Sequence, residues 1–68
     1  MEEKTLLPHQ VRVVEEKREL DEKIGKLTLF FDTDTFSKLP QQDKHLLLQQ
    51  RNYMEMYSNV LKIRIERF

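Results

Sequence analysis

The sequence has no cysteine and no tryptophan, and only one glycine, two prolines and two histidines in 68 residues. Without cysteine, disulfides and thiolate metal sites are excluded. His9 and His45 have no Cys or HExxH context, so no structural zinc is expected. Charge of one sign is also missing, because 12 basic residues balance 12 acidic ones. A protein that coats DNA or RNA is normally clearly basic, so polymeric nucleic acid is not the expected partner. No apolar run approaches the roughly 20 residues that span a bilayer, so no membrane association is expected. The opening MEEKTLLPHQ is acidic and lacks the apolar stretch of a secretion signal, which makes a cytoplasm the expected location. There is no Ser/His/Asp or Cys/His set, no Gly-rich phosphate loop and no acidic metal cluster. The residues therefore call for binding without turnover, and for no cofactor.

A chain of 68 residues is expected to form one domain spanning 1–68. A fold of this size buries only about 60% of its extended-chain surface and is marginal as a monomer. Small domains usually rely on a disulfide, a metal or association. With the first two set aside, oligomerisation is the remaining means of stabilisation.

What the sequence does have is helix-forming residues: Glu, Lys, Leu, Gln and Arg dominate it. The expected fold is all-α. It is an antiparallel two-helix hairpin with a short N-terminal segment, assembling into a helical homo-oligomer. The first helix should run from about 8 to 31, with Pro8 at its first position, where a missing N–H costs nothing. Its apolar stripe is Val13, Leu20, Ile24, Leu27 and Phe31, at helical spacing. Glu15, Arg18, Glu19, Glu22 and Lys26 form the solvated face. Glu19–Lys23 and Glu22–Lys26 stand at i,i+4 with the acid first, worth a few tenths of a kcal/mol each. Gly25 interrupts this helix at about 1 kcal/mol relative to Ala; it either eases close packing or serves the chemistry of a site. The connector, 32–39, is rich in Asp, Thr and Ser, which favour turns and caps. Phe36 and Leu39 should tuck under it. Pro40 then restarts helix, to about 67.

In the second helix Leu47, Met54, Leu61 and Phe68 repeat every seven residues, as in a coiled coil. Leu46, Tyr53 and Val60 form a second stripe, with Met56 and Ile63 further round. That band is too wide for one partner helix, so its second part is expected to meet another copy. Gln50, Tyr57 and Arg64 fall at the i+3 positions of the heptad stripe. Gln50 could fix register there, and Tyr57 could pack with its hydroxyl satisfied. A guanidinium on a packed face needs an acceptor: either a Glu of another subunit or a bound phosphate or carboxylate. His45 reads as a surface residue.

The first turn of the first helix carries His9, Gln10 and Arg12, with no acid before Glu15. Helix starts usually attract acids. One reading is a phosphate site on free amides, reinforced by Arg12. The other is that His9 and Gln10 cap their own helix while Arg12 pairs with Glu16.

Taken in order, PHQVRVVEEKRELDEKIGKLTLFF, FSKLP and QRNYMEMYSNVLKIRIERF resemble the helical-hairpin domain of phage anti-CBASS sponges. The hairpin is also similar to one in phage proteins that counter Thoeris defence. The pattern is PHQxRVVxEKxELDxKIxKLxxF, then FxxLP, then QxxxMxxYSxVLxxRIxxF, and it covers residues 8–68. The resemblance implies an immune-evasion protein that is not an enzyme. It would bind cyclic oligonucleotide second messengers in the host bacterial cytoplasm and keep them from their effector. It implies a homo-oligomer, described as a hexamer in the family. Cyclic dinucleotides would sit between subunits, and cyclic trinucleotides in separate pockets on the symmetry axis. Thoeris-directed relatives carry an added β-rich portion and bind ADP-ribose-type cyclic signals; the present chain looks like the anti-CBASS type.

Residue by residue, the resemblance maps the dinucleotide pocket onto Pro8, His9, Arg12 and Lys23, with Lys26 as a neighbour. It maps the trinucleotide pocket onto Arg64. The family often places a stacking aromatic near Pro8, where this sequence has only Pro8 and His9. Without a ligand role, both lysines would serve their pairs with Glu19 and Glu22. The competing function is a helical protein–protein interaction module whose second-helix band docks on a host protein.

Overall fold

Three helices follow from these local preferences in the computed structural model, which describes residues 5–68; the acidic opening MEEK lies outside the described residues. Helix α1 spans Pro8–Phe30, α2 spans Asp34–Ser37 and α3 spans Gln41–Glu66. Leu7, in extended conformation, precedes Pro8 and caps α1 with its backbone. Its carbonyl accepts from Gln10 N at 2.9 Å and Val11 N at 3.0 Å. Its own N–H donates to Gln10 Oε1 at 2.8 Å. This is the glutamine half of a capping box; leucine has no side-chain acceptor with which to make the other half.

The connector is more ordered than an irregular turn. Thr33 accepts from Phe36 N at 3.2 Å and donates its hydroxyl to Phe30 O at 2.6 Å. That cap supports the single helical turn α2 inside the stretch expected to be free of helix. Phe36 does tuck under it: its ring centroid lies 4.9 Å from Phe31 and 5.9 Å from Phe30. Pro40 stands one position earlier in its helix than expected. It is the N-cap of α3, with its carbonyl accepting from Lys44 N at 3.1 Å.

Helices α1 and α3 pack against each other. The rod measures 52 × 18 × 16 Å with a radius of gyration of 15.9 Å, against about 11 Å for a compact chain of this length. The core is thin for that reason. Val13, Leu20 and Leu61 are buried, and Ile24, Met54, Ile65 and Phe68 pack around them half-buried. The α1 stripe lies where its periodicity put it.

On α3 the seam is Leu47, Arg51, Met54, Ser58, Leu61, Ile65 and Phe68, alternating steps of four and three. The heptad residues face α1 as expected, but their companions are the i+4 residues. Gln50, Tyr57 and Arg64 are exposed, so the expectation of an arginine on the packed face is corrected. Cross-helix polar bonds set this roll of α3. Ser58 Oγ donates to Asp21 Oδ1 at 2.5 Å, and Arg51 Nε to Thr28 Oγ1 at 2.7 Å. Both bonds specify one antiparallel register. Swapping Ser58 for Tyr57 at the seam would break the first and put a far larger side chain there.

Candidate functional site

Every residue of the expected site is exposed: Pro8, His9, Arg12, Lys23 and Lys26 on α1, and Arg64 on α3. At 100° per residue, Arg12 and Lys23 lie on one flank of α1, with Pro8 and Lys26 further round toward solvent. They are eleven residues apart, about 16 Å along the axis at 1.5 Å per residue. In the register set by the two polar bonds, Arg64 on α3 leans to that same side of the hairpin, level with Glu15 and Glu16. Glu16 and Glu19 share the flank, so it is mixed in charge.

Among the described residues ion pairing engages only Lys17, Arg18 and Arg51 of the lysines and arginines. Arg18 donates to Glu15 Oε1 from Nη2 at 2.6 Å and Nε at 2.9 Å, and to Glu22 Oε1 from Nη1 at 3.0 Å. Its guanidinium holds the Glu15 carboxyl below the ordinary carboxylate range, and Glu15 raises Arg18 in return. Lys17 binds Asp21 at 2.6 Å and Arg51 binds Glu55 at 3.1 Å. The expected Glu19–Lys23, Glu22–Lys26 and Arg12–Glu16 pairs do not form among the described residues. A guanidinium has five donors and engages two carboxylates at once, so Arg18 takes Glu22 from Lys26. Arg12, Lys23, Lys26 and Arg64 are left without a carboxylate partner among the described residues, as are Lys38, Lys44, Lys62 and Arg67.

The N-terminal turn is less open than its sequence suggests. Two of its amides already donate to Leu7 O. Among the described residues only the His9 N–H of that turn lacks a bond.

Two open grooves flank the hairpin. The first, about 440 Å³, lies between the helices and includes Lys17, Asp21, Gly25, Glu55, Asn59 and Lys62. Lys17, by its hydrogen bond, and then Ser58 hold the Asp21 carboxyl below its ordinary value. A Cβ added at Gly25 would meet nothing within 4 Å, so this glycine does not ease packing inside the hairpin. The second groove, about 470 Å³, runs along α3 between Leu46, Gln49, Gln50, Tyr53, Met54 and Tyr57. It lies on the side of Arg12, Lys23 and Arg64. The sequence treated Tyr57 as core and Tyr53 as part of an apolar stripe. The available signal was that Leu46, Gln50, Tyr53, Tyr57, Val60 and Arg64 themselves alternate in steps of four and three.

Among the described residues no three His, Cys, Asp or Glu gather as metal ligands, and no helix is long and apolar enough to cross a membrane. The arrangement offers flexible cations and aromatic surface beside one another, suited to an anionic ligand with flat groups.

A search of curated proteins gives no match, and a search of solved structures gives none. The family described as Sequestin matches the sequence over residues 7–67, from the cap of α1 through the last turn of α3. The chain therefore belongs to the Sequestin family, whose name points to a binding, sequestering role rather than to catalysis.

Proposed function

We propose that this chain is a phage immune-evasion protein that sequesters cyclic oligonucleotide second messengers in the host bacterial cytoplasm without cleaving them, so that CBASS effectors stay inactive. One observation carries the reading. In a family named for sequestration, Arg12, Lys23 and Arg64, free of carboxylate partners among the described residues, lie on the side of the hairpin that carries the groove of Tyr53 and Tyr57. Such cations are available to phosphate at no cost in broken ion pairs. Net neutrality is no obstacle, because the positive field need only be local.

The pocket is completed by association. Met56, Val60 and Ile63 are between 50% and 64% exposed on the outer side of α3, and a second copy covers them in a homo-oligomer, a hexamer. A cyclic dinucleotide has two-fold shape, which matches a site where two chains each bring Pro8, His9, Arg12, Lys23 and Lys26. A cyclic trinucleotide matches three copies of Arg64 about an axis. Binding stoichiometrically, the protein needs affinity and abundance, not turnover.

Calorimetry with a panel of cyclic di- and trinucleotides tests this, with the ligand recovered intact after denaturing the protein. A folded oligomer that binds none of them refutes it; a cleaved ligand refutes the non-enzymatic part. Arg64→Ala should weaken trinucleotide binding and spare dinucleotides, and equal loss of both would refute separate pockets. The same exposed apolar residues favour a second reading, a module that docks on a host protein. A stable host-protein complex from lysate, with no cyclic nucleotide bound, would support that instead.

A further inference from the structure

Resting on the proposed cyclic-nucleotide reading, we infer that Tyr53 and Tyr57 of α3 form the base-stacking surface of the site, with Gln49 and Gln50 beside them to meet base edges. A ligand made of nucleotides has flat bases as well as phosphates, and bases bind proteins by stacking on aromatic side chains. The four phenylalanines are committed elsewhere. Phe30, Phe31 and Phe36 pack on one another at the connector, and Phe68 packs on the core. That leaves Tyr53, 65% exposed, and Tyr57, 44% exposed.

Their position fits. The register places Tyr57 level with Lys23 and Tyr53 level with Lys26, so stacking surface and phosphate-binding cations share one stretch of the hairpin. The groove they line, about 470 Å³, has the size of small-ligand clefts, roughly 300–1,000 Å³. Its polar residues separate a ligand from a plain helix–helix contact. The Gln49 and Gln50 carboxamides make no hydrogen bond among the described residues. An apolar helix laid over them would leave donors and acceptors unpaired. A base edge supplies both kinds of partner.

The experiment uses the full chain and two probes, 3′,3′-cyclic di-AMP and cyclic tri-AMP. The protein has two tyrosines and no tryptophan, so its intrinsic emission reports on Tyr53 and Tyr57 alone. Titration of a probe that binds by calorimetry should quench that emission. Tyr53→Leu and Tyr57→Leu should each weaken binding by roughly 5- to 140-fold, the effect of losing one stacked base. Tyr53→Phe and Tyr57→Phe, which keep the ring, should retain most of the affinity. Native mass spectrometry of each variant reports whether its oligomer is intact, and the wild-type emission decides the matter for any variant that dissociates. Calorimetric binding with unquenched emission, and unchanged affinity in both intact leucine variants, overturns the stacking surface and leaves the sequestration reading standing. A folded wild-type protein that binds neither probe nor any of the panel overturns both.

Discussion

Replacing Leu61 by alanine removes three carbons from the one side chain that is fully buried among the described residues, at 0% exposure. It sits among Val13 and Leu20 of α1 with Met54 and Ile65 beside it. Leu→Ala changes in cores cost about 2–5 kcal/mol, depending on how far the site collapses. A chain of 68 residues is expected to have only about 3–10 kcal/mol in all. Three buried apolar residues against eleven exposed large ones among the described residues put this one toward the low end. Leu61→Ala should therefore lower the melting temperature by on the order of 10 to 40 °C, at about 4–8 °C per kcal/mol for this size. The neighbouring residue gives the control. Val60 points about 100° away and is 53% exposed. In a lone chain Val60→Ala should change stability by no more than about 0.5 kcal/mol. If a second copy covers it, the loss rises to about 1.5 kcal/mol for its two methyl groups, and the midpoint depends on protein concentration. Thermal and urea melts followed by circular dichroism at two protein concentrations measure both variants. A Leu61→Ala protein within about 0.5 kcal/mol of wild type would refute the placement of the seam.

Gly25→Ala should stabilise the free chain by about 0.4–1 kcal/mol, since the added Cβ meets nothing and the unfolded state loses freedom; a destabilised oligomer would instead reveal a partner seated against that groove. Lys23→Ala should leave thermal stability within about 0.5 kcal/mol, having no ion pair to break, yet weaken cyclic dinucleotide binding roughly 10- to 150-fold in calorimetry, the worth of a charge-assisted hydrogen bond. Unchanged affinity would remove Lys23 from the site. Asp21 holds its proton less firmly when folded than its ordinary value of 3.8, so its contribution is full above that pH and is lost as pH falls through the lower folded value. Acid titration followed by circular dichroism should thus show Asp21→Asn to be less stable at neutral pH but flatter below pH 4; parallel curves would contradict the assignment.

Much of α1 was legible in the sequence because a single apolar stripe on a helix admits one orientation. Val13, Leu20 and Ile24 of that stripe all lie in the core with Leu61 of α3. The roll of α3 was not legible. A seven-residue repeat is compatible with companions at i+3 or i+4, and Tyr57 and Arg64 are as plausible beside Leu61 as Ser58 and Ile65 until the partner helix is in place. Asp21 and Thr28 decide between them, and they lie 37 and 23 residues away from the groups they bind. The ion pairs failed for a related reason. Spacing says which charges can meet, whereas Arg18, with several donors, takes Glu22 ahead of Lys26; nothing in the structure explains the missing Glu19–Lys23 and Arg12–Glu16 pairs. Of the candidate site, the sequence put Lys26 on the solvated face, where it lies exposed, but set Arg64 on the packed face, where it does not lie. It undervalued the tyrosines, because an aromatic residue on an apolar band looks like core.

The bonds from Ser58 and Arg51 to α1 have a consequence for how the chain finds its structure. Leu47, Met54, Leu61 and Phe68 are nearly interchangeable, so sliding α3 by one heptad would exchange one apolar contact for another at little change in energy. A two-helix rod with a thin core is prone to such near-degenerate alternatives, the condition that roughens a folding landscape. A heptad slip breaks both native contacts and offers at most one in exchange, Arg51 opposite Asp21 or Ser58 opposite Thr28, so the false minima keep one polar contact where the native register has two. The hairpin thereby trades some apolar burial for uniqueness, and uniqueness is what keeps the cations of α1 and the rings of α3 in a fixed relation.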